Sequence, residues 1–158
     1  GVVCRVRDCH RRRTVRRFCL GMMPMRALTI CQPYASLIAE GRKRCENRRW
    51  PTSFRGMIAI HAGKSREWLD TLHPDEPMPN PMPFGAVIAT ANLVDCVKLT
   101  DVIDGVLGDA YGWMLDDRHA EGPYCFVLED VTPIEPVPFR GAQGFFFFPD
   151  RLVPVEAK

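Results

Sequence analysis

No apolar run in this sequence approaches the roughly 18–20 residues that cross a bilayer as a helix, so no membrane span is expected. No two cysteines are spaced C-x-x-C, and the seven present, at 4, 9, 19, 31, 45, 96 and 125, are odd in number. With no secretory signal legible either, that pattern argues against a disulfide scaffold and for reduced thiols in a cytoplasmic protein. Cys4, Cys9, His10 and Cys19 match no common zinc-ligand spacing, so neither a metal nor a cofactor is expected. A glycine-rich phosphate loop is also missing, because Gly141 and Gly144 do not open a helix after a strand. Internal repeats are absent. No Ser/His/Asp arrangement can be read, since one sequence carries no spatial proximity.

What is present is the composition of one globular domain: 158 residues, 46% hydrophobic and 25% charged. The net charge of +2 hides an asymmetry. Residues 1–24 carry seven arginines (Arg5, Arg7, Arg11, Arg12, Arg13, Arg16 and Arg17) against Asp8 alone, which leaves the rest of the chain net acidic. An acidic domain is no general polyanion binder, because non-specific affinity scales with the phosphates neutralised. Any nucleic-acid site on it must be local.

The segment 1–24 reads as no structural element, and Met22, Met23 and Met25 cluster just before the first convincing strand. The expectation is a basic, disordered extension, foreign to the native protein if translation starts at one of those methionines. The other reading is an RNA-binding arm or an Arg-rich targeting segment. The domain is expected over 25–158.

Within it, residues 26–31 form a short apolar run suited to a buried strand, and Pro33 opens a helix over 34–40 that Gly41 ends in a left-handed conformation. A second strand is expected at 56–61 and a short helix at 65–72. Five prolines between His73 and Pro83 exclude regular structure there. Residues 85–98 read as one long strand or two joined by a bend, 101–107 as a helical turn or two, and 124–131 as a further strand. Residues 134–139, interrupted by proline, are at best an edge strand, and 145–148 a last apolar strand. The fold class this implies is α+β: a small mixed β-barrel of five or six strands with short flanking helices.

The densest chemistry lies between Glu40 and Trp50, where Arg42, Lys43, Arg44, Arg48 and Arg49 outnumber Glu40 and Glu46. If this stretch is extended from Gly41 onward, Lys43 and Cys45 share one face and Arg44, Glu46 and Arg48 the other. If Gly41–Arg44 is a turn, Lys43 and Glu46 converge on one cleft. Read from charge alone, these residues form a solvated strand edge that discourages sheet-to-sheet pairing.

The order Gly41-x-Lys43-x-x-Glu46-x-Arg48 resembles the G-x-K-x-x-E-x-R signature of ASCH domains, and the flanks agree with it. Leu28 to Ile38 is similar to the family's opening strand and helix. Trp50 to Gly56 and Ile60 to Lys64 are similar to the turn and strand that follow. Gly85 to Ala89, Tyr111-Gly-Trp113 and Gly141 to Phe145 come in the family's order, so the resemblance covers about residues 25–150. It implies a PUA-like barrel with a cleft bordered by the first helix and the signature. It also implies a partner that is RNA or a modified nucleobase or nucleoside; the chain itself is expected to be a monomer.

On that reading Tyr34, Gly41, Lys43, Glu46, Arg48 and Trp50 are the expected ligand-binding residues. Lys43 holds a phosphate or base carbonyl, or moves a proton if desolvation lowers its pKa. Arg48 offers a planar fork to phosphate or to Glu46. Glu46 accepts from an exocyclic amine or orients Lys43. The alternative for the trio is a structural ion-pair network. Trp113 joins Tyr34 and Trp50 as a candidate stacking surface; His61 reads as a core histidine, and Gln143 as a turn residue or ligand contact.

Two further functions stay open. Amidohydrolases of this type, which deacylate N4-acetylcytidine, use the signature lysine, a hydroxyl three positions later and a downstream carboxylate. Here Lys43 matches, Glu46 replaces the hydroxyl, and Asp101, Asp104 or Asp109 would supply the carboxylate. Lys43 and Glu46 would then be the catalytic pair, for deacylation or for RNA cleavage. The other function is a protein-interaction module using the Pro-rich loop or the Phe145–Phe148 strand.

Overall fold

The computed structural model describes residues 24–149. All of the basic extension but Pro24, and with it Cys4, Cys9, His10 and Cys19, lies outside the described residues. Six strands, β1 (Met25–Ile30), β2 (Cys45–Arg48), β3 (Gly56–Ala62), β4 (Ala86–Lys98), β5 (Tyr124–Pro138) and β6 (Phe145–Phe148), form one mixed sheet in the order β2-β5-β4-β3-β1-β6. The β1/β3 pair is parallel and every other pair antiparallel. Helices α1 (Tyr34–Ala39) and α2 (Leu99–Ile103) are short. The class is α+β with a mixed sheet, as expected.

The expected closed barrel is not reached by hydrogen bonds, since β2 and β6 are the two ends of the sheet. Side chains close the gap instead. Trp50, just past β2, sits edge-on to Phe126 of β5 and to Phe145 of β6, with centroids 5.1 and 5.5 Å away. Phe126 and Phe145 also stack at 6.1 Å, although their strands are far apart in the sheet order. The sheet therefore curls strongly around a core of Leu28, Ile30, Ile58, Ile60, Leu93 and Phe126, each at most 1% exposed. Burying side chains of this size contributes about 1.5–3 kcal/mol apiece.

Helix α1 begins where the proline placed it. Pro33 has no N–H to satisfy, and the buried Gln32 amide caps the first turn, its Oε1 accepting from Ser36 N at 3.0 Å. Gly41 (φ +74°) ends the helix and turns the chain into β2.

Two expectations fail. Residues 65–72 make only a single 3₁₀ turn, Leu69–Thr71, because Lys64 to Trp68 are all exposed and present no apolar face to bury. Residues 134–139 are not a separate strand; they continue β5, which pairs with β4 as far as Pro138↔Ala86. Only Tyr124–Val127 of β5 is covered by β2, so the prolines of its second half face an open edge and break no ladder on that side. Residues 85–98 form one strand whose bends are register shifts against β5. No helix among the described residues is long and apolar enough to cross a membrane.

Candidate functional site

The cleft opens where β1 ends and α1 begins, beside the turn at Glu40–Gly41 and the irregular segment that leads into β2 at Cys45. That turn brings Lys43 and Glu46 onto one side, with Lys43 Nζ 3.8 Å from Glu46 Oε2. The cavity measures about 250 Å³. Lys43, Glu46 and Arg48 form its floor, and Tyr34, Trp68 and His119 stand among its walls.

The floor is a network of paired charges in which Arg48 Nε has no partner among the described residues. Lys43 is 3% exposed, and its ammonium donates to the carbonyls of Cys45 and His119. Arg48 donates to Thr29 O at 2.6 Å and pairs with Glu46 Oε1 at 3.0 Å. Each oxygen of Glu46 thus faces a different cation. Buried ion pairs hold only where further hydrogen bonds offset desolvation, and here backbone carbonyls supply them. Beneath the lysine, the Cys45 thiol is pushed up by its hydrogen bond to Cys125 and by burial, so it stays neutral. Cys31, on the cleft wall, is raised by burial and then by Glu46.

Several residues of this site carried no sequence signal. The His119 carbonyl accepts from Lys43 Nζ and from Asn47 Nδ2, residues 76 and 72 positions away. Asn47 Oδ1 accepts from the backbone N–H groups of Glu121 and Gly122 at 3.1 Å, which fastens the 119–122 loop to β2. The His119 ring is held by Glu76 of the Pro-rich loop, Nε2 to Oε1 at 3.2 Å, and stands edge-on to Tyr34 at 6.2 Å. Asn47 lies inside the signature and could have been flagged by position; His119 and Glu76 could not.

The expected site residues divide. Tyr34, Lys43, Glu46 and Arg48 line the cleft. Gly41 does not; it is exposed and acts through its turn. Trp50 does not either, because its indole is used in the seam with Phe126 and Phe145. Trp113 lies under the Arg44 guanidinium (4.1 Å) in a neighbouring open groove that also runs past Glu76 and Arg118. Asp101, Asp104 and Asp109 are absent from the cleft lining; Glu121, at the rim, is the carboxylate present beside Glu46. Gln143 is exposed and His61 buried, neither in the cleft. Among the described residues no group of His, Cys, Asp or Glu could hold a metal ion.

The ASCH domain profile matches residues 28–137. The chain belongs to the ASCH domain family. The resemblance to ASCH domains therefore holds, and with it the PUA-like class of the fold. Activating signal cointegrator 1 of Mus musculus is 36% identical over 82 residues, and that of Homo sapiens 32% over 82 residues. Each match covers 45% of this chain but 14% of the relative, so this ASCH domain corresponds to a small part of those proteins. Among solved structures, ASCH from Zymomonas mobilis aligns with a TM-score of 0.47 at 19% identity, over 79% of this chain and 87% of that one.

Proposed function

We propose that this ASCH domain binds RNA by taking a single nucleobase into the cleft floored by Lys43, Glu46 and Arg48. The observation that carries the reading is the convergence of those three side chains on one concave surface beside Tyr34. A cavity of about 250 Å³ lies below the ~300–1,000 Å³ of pockets that take drug-sized ligands, which suits one base rather than a duplex. The net acidic charge of the domain points the same way, to a local contact rather than a polyanion track.

The roles follow from the hydrogen bonds. Glu46 is acceptor-only, and its lone pairs beyond Arg48 and Lys43 suit the exocyclic amine of a cytosine or adenine, modified or not. Lys43, whose donors are turned to Cys45 O, His119 O and Glu46, keeps that carboxylate aimed. Arg48 fixes Glu46 from the other side while holding β1 through Thr29 O. The deacylase and ribonuclease readings have less support, with Glu46 where a hydroxyl would be needed and Asp101, Asp104 and Asp109 off the cleft.

The test is binding of short single-stranded RNA, plain or carrying N4-acetylcytidine, followed by fluorescence anisotropy with the RNA recovered afterwards. Wild type should bind and leave the RNA unchanged, and Glu46→Gln should weaken binding at least tenfold. Equal affinity of wild type and Glu46→Gln would remove the cleft from the reading, and Lys43-dependent loss of the acetyl group would replace binding by hydrolysis.

A further inference from the structure

Trp68 is the large apolar side chain that the fold leaves half wet at the mouth of the cleft. It is 46% exposed, and it lines the same cavity as Tyr34, Lys43, Glu46 and Arg48. The other two tryptophans are engaged: Trp50 in the aromatic seam, Trp113 under Arg44. No aromatic ring or cation among the described residues covers the Trp68 indole in that way.

Its backbone is nevertheless fixed, and fixed through the cleft. Trp68 O accepts from Thr71 N at 3.2 Å and from the Thr71 hydroxyl at 2.7 Å. Because that hydroxyl has one proton, already donated, Tyr34 O–H is the donor in its 2.8 Å bond to Thr71 Oγ1. The chain Tyr34–Thr71–Trp68 thus ties both aromatic residues of the cleft into one frame, on a segment that is otherwise an exposed 3₁₀ turn.

We propose that the Trp68 indole is the stacking platform for the base in the cleft, with the base's polar edge on Glu46 and its π-face on the indole. An amphiphilic ligand is what this wall and floor fit together: charged acceptors and donors at depth, a rigid apolar plane at the mouth. The ligand class is a nucleobase with an exocyclic amine, in an unpaired RNA strand or as a free nucleoside. The assignment rests on the base-binding reading above and adds to it the residue that supplies most of the apolar contact.

The experiment uses the full chain, a labelled single-stranded RNA followed by anisotropy, free cytidine and N4-acetylcytidine as competitors, and tryptophan emission recorded in the same titration. Trp68→Ala should weaken RNA binding roughly five- to hundredfold, the range expected for losing one base–aromatic stack. Trp68→Phe should restore most of the affinity yet lose the quenching of emission that wild type shows on binding. A melt of each variant should match wild type, since the side chain is half exposed. Competition by the free nucleosides would identify a nucleoside as sufficient; competition only by RNA would identify the strand. Wild-type affinity in Trp68→Ala, with binding still lost in Glu46→Gln, overturns the Trp68 platform and leaves the cleft reading standing. A wild-type protein that binds no RNA and no nucleoside removes both.

Discussion

Two buried histidines, each edge-on to an aromatic ring, mark two differently built ends of the molecule. His119, against Tyr34, sits among charges: Glu76 bonds its ring, and Arg42 pairs with the same Glu76 oxygen at 3.0 Å. His61, against Phe146, has only the Phe139 carbonyl on Nε2, and neither its Nδ1 nor the Thr29 hydroxyl has a partner among the described residues. A carbonyl accepts, so Nε2 of His61 carries a proton, and burial of the unpartnered Nδ1 disfavours a second one. Gly141 seals this end so closely that a Cβ there would lie 2.5 Å from the His61 ring and 2.6 Å from Thr29 Oγ1.

The comparison separates two ways of tolerating polar groups inside a small domain. At the cleft they are matched by opposite charges and carbonyls; at the phenylalanine edge they are packed in with few partners. The first lines an open cavity with charged groups. The second leaves polar atoms sealed under Gly141 and the phenylalanines.

The largest effect should come from the seam that makes the two ends one body. Phe126→Ala removes the ring between Trp50 and Phe145 and should cost about 3–5 kcal/mol in urea unfolding. A loss below about 1 kcal/mol would mean that the sheet curls without that seam. Next comes Asn47→Ala, which removes the acceptor of the Glu121 and Gly122 N–H groups and one of the donors to the His119 carbonyl. We expect about 1–3 kcal/mol of destabilisation and a several-fold loss of RNA affinity, measured by melts and anisotropy. Unchanged affinity would show that the 119–122 loop shapes the cleft without tuning it.

The smallest effect is a pH dependence that belongs to the phenylalanine edge. Burial pushes the His61 pKa below its usual value, opposed by the Phe139 carbonyl and assisted by Lys64. The unfolded chain therefore takes up this proton first. The contribution is complete above about pH 6.5 and is lost as pH falls through the lower folded value. Melting temperature should fall from pH 7 to pH 5, and the His61→Gln variant should show a flatter slope over that range. Asp95 does not confuse the window. Burial raises its pKa, but bonds from Tyr111, Cys96 N and Arg55 outweigh that and hold it below the ordinary carboxylate range, so it acts only in stronger acid.

Much of this was legible in the chain. The apolar runs around Leu28, Ile60 and Val127, the proline and glycine that bound α1, and the spacing of Gly41, Lys43, Glu46 and Arg48 are local signals, each set by residues a few positions apart. The misses were also physical. The 65–72 segment had helical composition but no face to bury, and Trp50 had the ring of a stacking platform but was needed by the core.

By itself the sequence determined the family, the α+β class and the spacing of Lys43, Glu46 and Arg48, because those follow from short-range pattern. Only the tertiary structure decided which partners complete them. His119 and Trp68 reach the cleft from loops with no periodicity, and Glu76 meets the His119 ring and Arg42 from the Pro-rich loop. The curl of the sheet goes with the packing of Trp50, just past β2, against Phe126 of β5 and Phe145 of β6, contacts that no local pattern encodes.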